Sequence, residues 1–563
     1  NQTLDAMFSY LLPVAAEGLN DDSLSVVAAS SATLTAAGSG QMLQLAFDGN
    51  GTAPFSFTSQ DAGRYQLRVE MAIPAVDPDG VPTGATIAVS DTSNGFVVRP
   101  LAVYADATGN TRAQDADGNP FKSAGEAFTL GYKSLRWASG RDNDNDGLWD
   151  SCASSTLTDP GLYARVPAWN IGQPGADLQQ PVGGNPGSLV HGGGDAAFTV
   201  AATGVDKGGV SYSEVGIIQL QQNSLNPFLG EGVPLCSPYI GRFIPADFSF
   251  AITDHGALLN SCTGSGFSYA GTPIGYAAPQ LPAAIITARN SSGVTTQNYT
   301  GAYNKLPLSG INMPNITSDG TQLGADGVTK VGLNWSIGMP GLIDNGNGTL
   351  DFGLSGDTFT YDRTANDRVA PFTSDLVLSV QSITDDDGVT AAGMPQSFTP
   401  TGVEVRYGRM AMQNAQGSEL LPLHVPLQVE YYAGSANGFV ANGADLCTAG
   451  LTAGLKSPVG QVVIAGGSRN TAIYAPAAVA GAYAADDLSD SSLLFVQPPV
   501  AGEFNLNLQP PGQGNTGSAG VEVVVPSWLK YIWSGSAMDN PSAKATFGVF
   551  SRPSGLIYQR EVY

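Results

Sequence analysis

The sequence predicts an all-β chain of tandem β-sandwiches, and three observations carry that expectation. Short runs of apolar residues alternate with polar ones at period two, the pattern of a strand with one buried face. Glycine (71) and proline (36) punctuate those runs throughout the chain, as turns between short strands require. No amphipathic helix of useful length and no repeat of fixed period breaks the pattern. At 563 residues the chain exceeds what one core can hold, so about three or four domains are expected.

Residues 1–97 form the first expected sandwich, with strands at 24–29, 42–47, 55–57, 65–71, 86–89 and 95–98. Within it Asp61, Gly63, Tyr65 and Leu67 spell D-x-G-x-Y-x-L. That phrase resembles the tyrosine corner of immunoglobulin-like domains, in which the Tyr hydroxyl bonds back to main chain at a strand corner. The cysteine pair of antibody domains is missing, so this sandwich is expected to rest on packing alone.

Residues 98–235 make a second β-rich domain. Strands are expected at 127–132, where Phe128, Leu130 and Tyr132 alternate, and at 214–220. The stretch 173–195 is dense in Gly and Pro and reads as an exposed loop. Residues 236–563 make a third region, with a boundary near 400 if it comprises two packed sandwiches. Its expected strands are 248–252, 283–288, 331–335, 358–361, 376–380, 461–463, 493–496, 521–525 and a terminal hairpin of 547–550 and 556–561. The longest patterned stretch is 402–447. There Val403, Val405 and Tyr407, then Met410 and Met412, alternate, 414–418 turns, and 421–432 returns as an apolar run. Pro422 and Pro426 cannot donate to a ladder, so the return strand needs an edge or bulged segment.

Lys plus Arg is 24 against 48 Asp plus Glu, a net charge of −24. Phosphate neutralisation needs a basic face, so nucleic acid is excluded as a partner. An acidic, Lys-poor surface suits solubility outside a cell and offers carboxylates to divalent cations. The four cysteines are Cys152, Cys236, Cys262 and Cys447. An even, sparse set favours two structural disulfides with three connectivities open; the pairing expected is Cys152–Cys236 and Cys262–Cys447. The alternative is four reduced, buried thiols, as in a reducing compartment. No pair has CxxC spacing, so neither zinc nor dithiol redox chemistry is expected. The most apolar window, 472–485, is broken by Pro476 and too short to span a bilayer. The first residues carry no leader segment, so an exported precursor is expected to have lost it or to carry it upstream.

The sharpest local signal is RDNDNDGLWD at 141–150. Asp142, Asp144 and Asp146 are spaced by two, Gly147 permits the turn, and Asp150 follows four residues on. Calcium takes about six to eight oxygens, and a D-x-D-x-D-G loop turns its carboxylates towards one point. The twelfth position, where an EF-hand places a bidentate Glu, is Ala153, so the phrase is nearer the short calcium loops of secreted β-proteins. Its expected ligands are Asp142, Asp144, Asp146, the Leu148 backbone carbonyl and Asp150, with Cys152 pinning the loop from behind; the alternative is a solvated acidic turn. The acidic stretches at 344–351, 385–388 and 115–118 read as β-turns.

Catalytic signals are thin, and no enzyme is expected. His191, His255 and His424 lie far apart. HGGG at 191–194 matches the oxyanion-hole phrase of some esterases, but the G-x-S-x-G elbow that class requires is missing. His255 sits in a turn, and His424, in an apolar strand, reads as a core imidazole. No carboxylate pair for glycoside hydrolysis can be picked from sequence, and dinucleotide and P-loop fingerprints are absent. Trp149, Trp169, Trp335, Trp528 and Trp533 could stack on sugars, although sandwich cores are their simpler place.

Several phrases occur in order along the C-terminal two thirds: GRFIPADF (241–248), Cys262 with FSY (267–269), NYTGAY (298–303), RYGR (406–409), NAQG (414–417), ELLPL (419–423), NGAD (442–445) before Cys447, PSWLKY (526–531) and DNPSAKATFG (539–548). SNGFVVRP (93–100) and AGEAF (124–128) precede them. Together, over about 90–563, they resemble MshQ-like proteins, chiefly their C-terminal domain of unknown function, encoded with the mannose-sensitive haemagglutinin type IV pilus of Gram-negative bacteria. Acidic residues often follow the terminal Trp pair in that family; here 533–538 is poor in them, so no cation site is expected there. The resemblance implies a secreted, surface- or pilus-associated β-domain protein with no known reaction. The leading expectation is therefore a calcium-stabilised adhesion module whose partners are pilus or filament proteins, with host-cell or surface glycans as a further class. The alternatives are a structural subunit or assembly factor of an extracellular filament, and a secreted polysaccharide-active enzyme.

Overall fold

The computed structural model describes residues 2–12, 24–34, 40–59, 61–144, 146–150, 157, 160–164, 166, 169–192, 204–222, 225–313, 315–318, 331–363, 368–455, 461–464, 467–470, 473–474, 492–495, 497–513, 516–533 and 535–548. These residues form an all-β, multi-domain chain with four principal apolar cores.

The first core lies between two sheets. The larger runs Gln41–Phe47, Gln2–Leu12, Gly63–Val76, Pro82–Thr92, with Phe96–Val98 also on Gly63–Val76; the smaller runs Ser31–Leu34, Leu24–Val27, Ser56–Thr58. The strand Gln2–Leu12 was not expected. Its alternation is plain in place: Ala6 and Phe8 point inward opposite Met71 and Val69 and join Val26, Leu43, Leu45, Tyr65 and Leu67 in the core. The Tyr65 hydroxyl donates to the Asp61 carbonyl at 3.1 Å and lies 2.6 Å from Ser59 Oγ, so the D-x-G-x-Y-x-L phrase builds the tyrosine corner it resembles. Pro82–Thr92 is the sheet's edge and is exposed along all of its length.

The second core is closed by a four-stranded sheet (Lys122–Ser123, Ile240–Ile244, Gly216–Leu220, Ala176–Gln180) and a five-stranded one (Leu189–Val190, Val205–Tyr212, Phe128–Leu135, Ala102–Ala107, Leu235–Cys236). Phe128, Leu130 and Tyr132 are buried in it as their alternation requires. Its sheets run on to Ile244, so the position 235/236 falls inside them. The stretch 173–195, expected as loop, contributes the strands Ala176–Gln180 and Leu189–Val190; Leu178 and Gln180 pair with Ile218 and Ile217, and this ladder overrides the glycine and proline around it.

The third core gathers Phe248, Ile286, Leu350, Phe352, Phe359, Leu378, Phe398 and Val405 from a sheet ordered Asp247–Asp254, Ala283–Arg289, Thr349–Gly353, Gly341–Asp344 and several smaller ones. In the fourth, Gly408–Met412 and Leu427–Tyr432 pair antiparallel from Gly408↔Tyr431 to Met412↔Leu427, the hairpin expected within 402–447. Pro426 splits the return: Leu423–His424 pairs instead with Asn507–Leu508. The polar turn at 414–418 holds the short strand Ala415–Gly417, parallel to Ala545–Phe547. The expected terminal hairpin beyond 548 lies outside the described residues.

Polar locks join the cores. Arg242, in the second, makes a two-pronged bond to Asp387, in the third, at 2.7 and 2.5 Å. Glu214 accepts from Val215, Gln297 and Asn298 backbone amides. Within the fourth core, Cys262–Cys447 is a disulfide with Cα atoms 5.2 Å apart that ties the segment around 262 to the one around 447, beside Asp445, which accepts from the hydroxyls of Tyr269 and Thr448, each at 2.6 Å. Cys236 is also disulfide-bonded; Cys152, expected as its partner, lies outside the described residues. No helix among the described residues is long and apolar enough to cross a membrane.

Candidate metal centre

The loop at 141–150 follows the strand Phe128–Leu135. Main chain closes its base: the Asp150 amide donates to Arg141 O at 2.7 Å, and Arg141 N to Ala138 O at 3.1 Å. Trp149 is 6% exposed and clusters with Leu101, Tyr104, Leu135 and Cys236. The Arg141 guanidinium lies 4.9 Å from its ring centre. Trp149 is thus the apolar anchor from which the acidic part of the loop projects.

Side chain-to-backbone bonds then fold that part on itself. Gly147 N donates to Asp142 Oδ2 (3.2 Å), Asp146 N to Asp144 Oδ1 (3.3 Å) and Leu148 N to Asp146 Oδ1 (2.7 Å). Gly147 adopts φ +79°, a backbone conformation that favours glycine, and a Cβ there would lie 2.8 Å from Nη2 of Arg99 and push that guanidinium aside. Arg99 in turn donates Nη2 to Gly147 O at 3.1 Å and Nη1 to Pro100 O and Leu101 O at 3.0 and 3.2 Å. The loop is therefore held by the segment that joins the first domain to the second.

The result brings oxygens of Asp142, Asp144 and Asp146 within 4.8 Å of one another. Asp144 and Asp146 are exposed. Asp142 is only 7% exposed, and its Oδ1 is buried with no hydrogen-bond partner among the described residues. Like charges at such range repel by roughly 1 kcal/mol per pair in water and about 4 near a protein surface. A buried carboxylate oxygen without a donor adds a desolvation penalty. A hard divalent cation would offset both, and an all-oxygen donor set suits calcium. Asp150 does not join the group of three; its Oδ2 accepts from the backbone and side-chain nitrogens of Asn143, both at 2.8 Å. Leu148 sits on the loop with an exposed side chain.

The other acidic turns are satisfied from within. Asp344 accepts from Thr300 Oγ1, Gly301 N, Asn304 Nδ2 and Gly346 N; burial pushes its carboxyl up, but these bonds outweigh it and hold the group below the usual range. Asp385 accepts from Asp387 N, Val389 N and the Tyr299 hydroxyl, and burial leaves its pKa raised. Among the histidines, His191 Nε2 lies 2.9 Å from Pro174 O and His255 Nδ1 accepts from Thr399 N at 3.1 Å. His424 is not a core imidazole. Leu423 and Val425 take the inward positions, so the side chain between them is exposed. Trp169 is buried like Trp149, Trp335 and Trp528 are half-buried, and Trp533 is exposed. Arg99 escaped sequence reading because 48 positions separate it from Gly147.

Fold and loop define a class: a multi-domain all-β protein with an immunoglobulin-like first domain and a loop of converging carboxylates in its second. The chain belongs to the DUF6701 family, a family of domains of unknown function, and carries its four domains in order: the first, Ig-like domain at 1–88, the second at 99–208, the third at 214–405 and the fourth at 406–562. No curated protein matches the chain. Among solved structures it is similar to Escherichia coli alpha-2-macroglobulin activated by porcine elastase, at 9% identity and a TM-score of 0.11, over 97% of this chain and 41% of that one. Salmonella alpha-2-macroglobulin reacted with methylamine aligns at 10% identity and a TM-score of 0.10, over 97% and 34%. The chain spans less than half the length of either, and scores this low carry no common fold.

Proposed function

We propose that this chain is an exported, calcium-stiffened surface-recognition protein, displayed at the cell surface or on a type IV pilus of the MshQ-associated kind. The observation that carries the reading is the convergence of Asp142, Asp144 and Asp146 on a loop gripped by Arg99 at the first interdomain junction. Two exposed ligands and one buried one make a weak site, suited to extracellular modules with Kd of roughly 10⁻⁴–10⁻³ M. The Cys262–Cys447 disulfide fits the same oxidising compartment. In this reading calcium fixes the angle between the first two domains, the locks at Arg242 and Cys262 stiffen the remainder, and loops at the free ends meet the target.

A structural role in a filament is the second reading, and Pro82–Thr92 favours it. This edge strand is exposed throughout and holds no Lys or Arg, the usual guards against strand addition. Immunogold labelling of intact producing cells separates the two. Label confined to filament tips or scattered over the outer surface supports recognition, regular label along a filament supports the structural role, and label only inside opened cells defeats both.

A further inference from the structure

A cleft of about 240 Å³ opens between the first and second domains, beside the acidic loop. Ser59 and Asp61 line it from the first domain, Arg136 and Trp137 from the second, and Arg99 and Asp142 tie it to the loop. Trp137 is 59% exposed, whereas Trp149 and Trp169 are buried. A large ring left uncovered at the mouth of a cleft is an amphipathic stacking platform. The cleft is smaller than the roughly 300–1,000 Å³ of sites that enclose drug-sized ligands, so it suits one ring rather than a length of chain. It also brings two arginines, Arg99 and Arg136, together beside Asp61 and Asp142, in a molecule of net charge −24. Among the described residues the terminal nitrogens of Arg99 meet the carbonyls of Pro100, Leu101 and Gly147 and no carboxylate, so those contacts do not compensate its charge.

We infer that this cleft binds one acidic pyranose of a saccharide, its ring stacked on Trp137 and its carboxylate on the arginine side, and that calcium in the neighbouring loop tightens the binding. This rests on the recognition reading and specifies its ligand. Without a cation, Asp61 and Asp142 balance Arg99 and Arg136. A divalent ion on Asp142 offsets one of those acids, so the cleft turns electropositive, and Arg99, which holds the Gly147 carbonyl, is steadied with the loop. The coupling is reciprocal: an acidic saccharide must raise calcium affinity by the same factor.

The test is calorimetric titration of the full chain with sialyllactose and a glucuronate-containing hyaluronan tetrasaccharide, with lactose as the neutral counterpart, in about 10 mM calcium and in chelator. At least one acidic probe is expected to bind about tenfold tighter than lactose, to weaken severalfold in chelator, and to lose about tenfold in affinity with Trp137→Ala, less with Trp137→Phe. Arg136→Gln should remove the preference for acid while the affinity for lactose stays put. Failure of both acidic probes to bind, or binding indifferent to Trp137→Ala, overturns the site. The two readings fail differently: a chain stabilised by calcium that binds neither probe loses the cleft, and a chain indifferent to calcium that still binds through Trp137 loses the calcium loop and its coupling.

Discussion

Breaking the Arg242–Asp387 lock should cost far more than an ordinary ion pair. The side chains are 4% and 10% exposed, the guanidinium makes both bonds to the carboxylate, and its Nε donates to Gly118 O at 2.7 Å. Arg242→Ala strands Asp387 in a dry junction next to buried Asp385. Removing one partner of a buried pair costs about 3–5 kcal/mol, against about 0–1 for exposed pairs. Because Arg242 lies in a strand of the second core and Asp387 in a turn of the third, the loss should also uncouple them. Urea unfolding followed by tryptophan fluorescence should show a lower midpoint and a broadened or split transition. Arg242→Met with Asp387→Leu should recover most of the loss, since apolar replacement of a whole buried pair is often neutral. A loss below about 1 kcal/mol for Arg242→Ala would refute the assignment of this contact as an interdomain lock.

Further outcomes follow from other buried polar groups. Burial raises the pKa of Glu214, despite its bonds from Val215, Asn298 and Gln297, so the folded chain holds that proton more tightly than the unfolded one. Stability should therefore fall as pH rises from the unfolded Glu value of about 4.3 towards the raised one; the urea midpoint of Glu214→Gln should fall less steeply there, and equal slopes would contradict this. Tyr65→Phe should lose about 0.5–1.5 kcal/mol by removing the hydroxyl's bonds to the Asp61 carbonyl and Ser59 Oγ, measured by calorimetry. Cys262→Ser with Cys447→Ser opens a closure of 185 residues and should lower stability by about 2–5 kcal/mol under oxidising conditions, and added reductant should lower this variant less than the native chain, because only the bridge of Cys236 is left to open.

Much of this was legible in the chain because local pattern and local structure agreed. Phe128, Leu130 and Tyr132 alternate in sequence and in burial, and the D-x-G-x-Y-x-L phrase foretold a bond from the Tyr65 hydroxyl back to main chain, which the Asp61 carbonyl accepts. The strand Gln2–Leu12 escaped because its identity comes from partners at 41–47 and 66–71, and 176–180 escaped because ladder pairing with 217–220 outweighs the glycine and proline beside it. The loop at 142–146 announced its convergence through spacing alone. Asp150 did not: a carboxylate four residues on has a nearer partner in Asn143. Arg99, Arg136 and Trp137 have no common motif, since the cleft they line exists only once two domains meet.

The most direct test of the calcium-stiffened account is the melting temperature of the full chain with about 10 mM calcium and with chelator. For a Kd of about 10⁻⁴–10⁻³ M, binding adds about 1.4–2.7 kcal/mol, or roughly 5–15 °C if the second domain melts on its own. The account predicts that rise in the native chain and its disappearance in Asp144→Asn with Asp146→Asn, which without calcium should be no less stable than the native chain because two repelling charges are gone. A native chain indifferent to calcium, or a double variant that keeps the full rise, would contradict it.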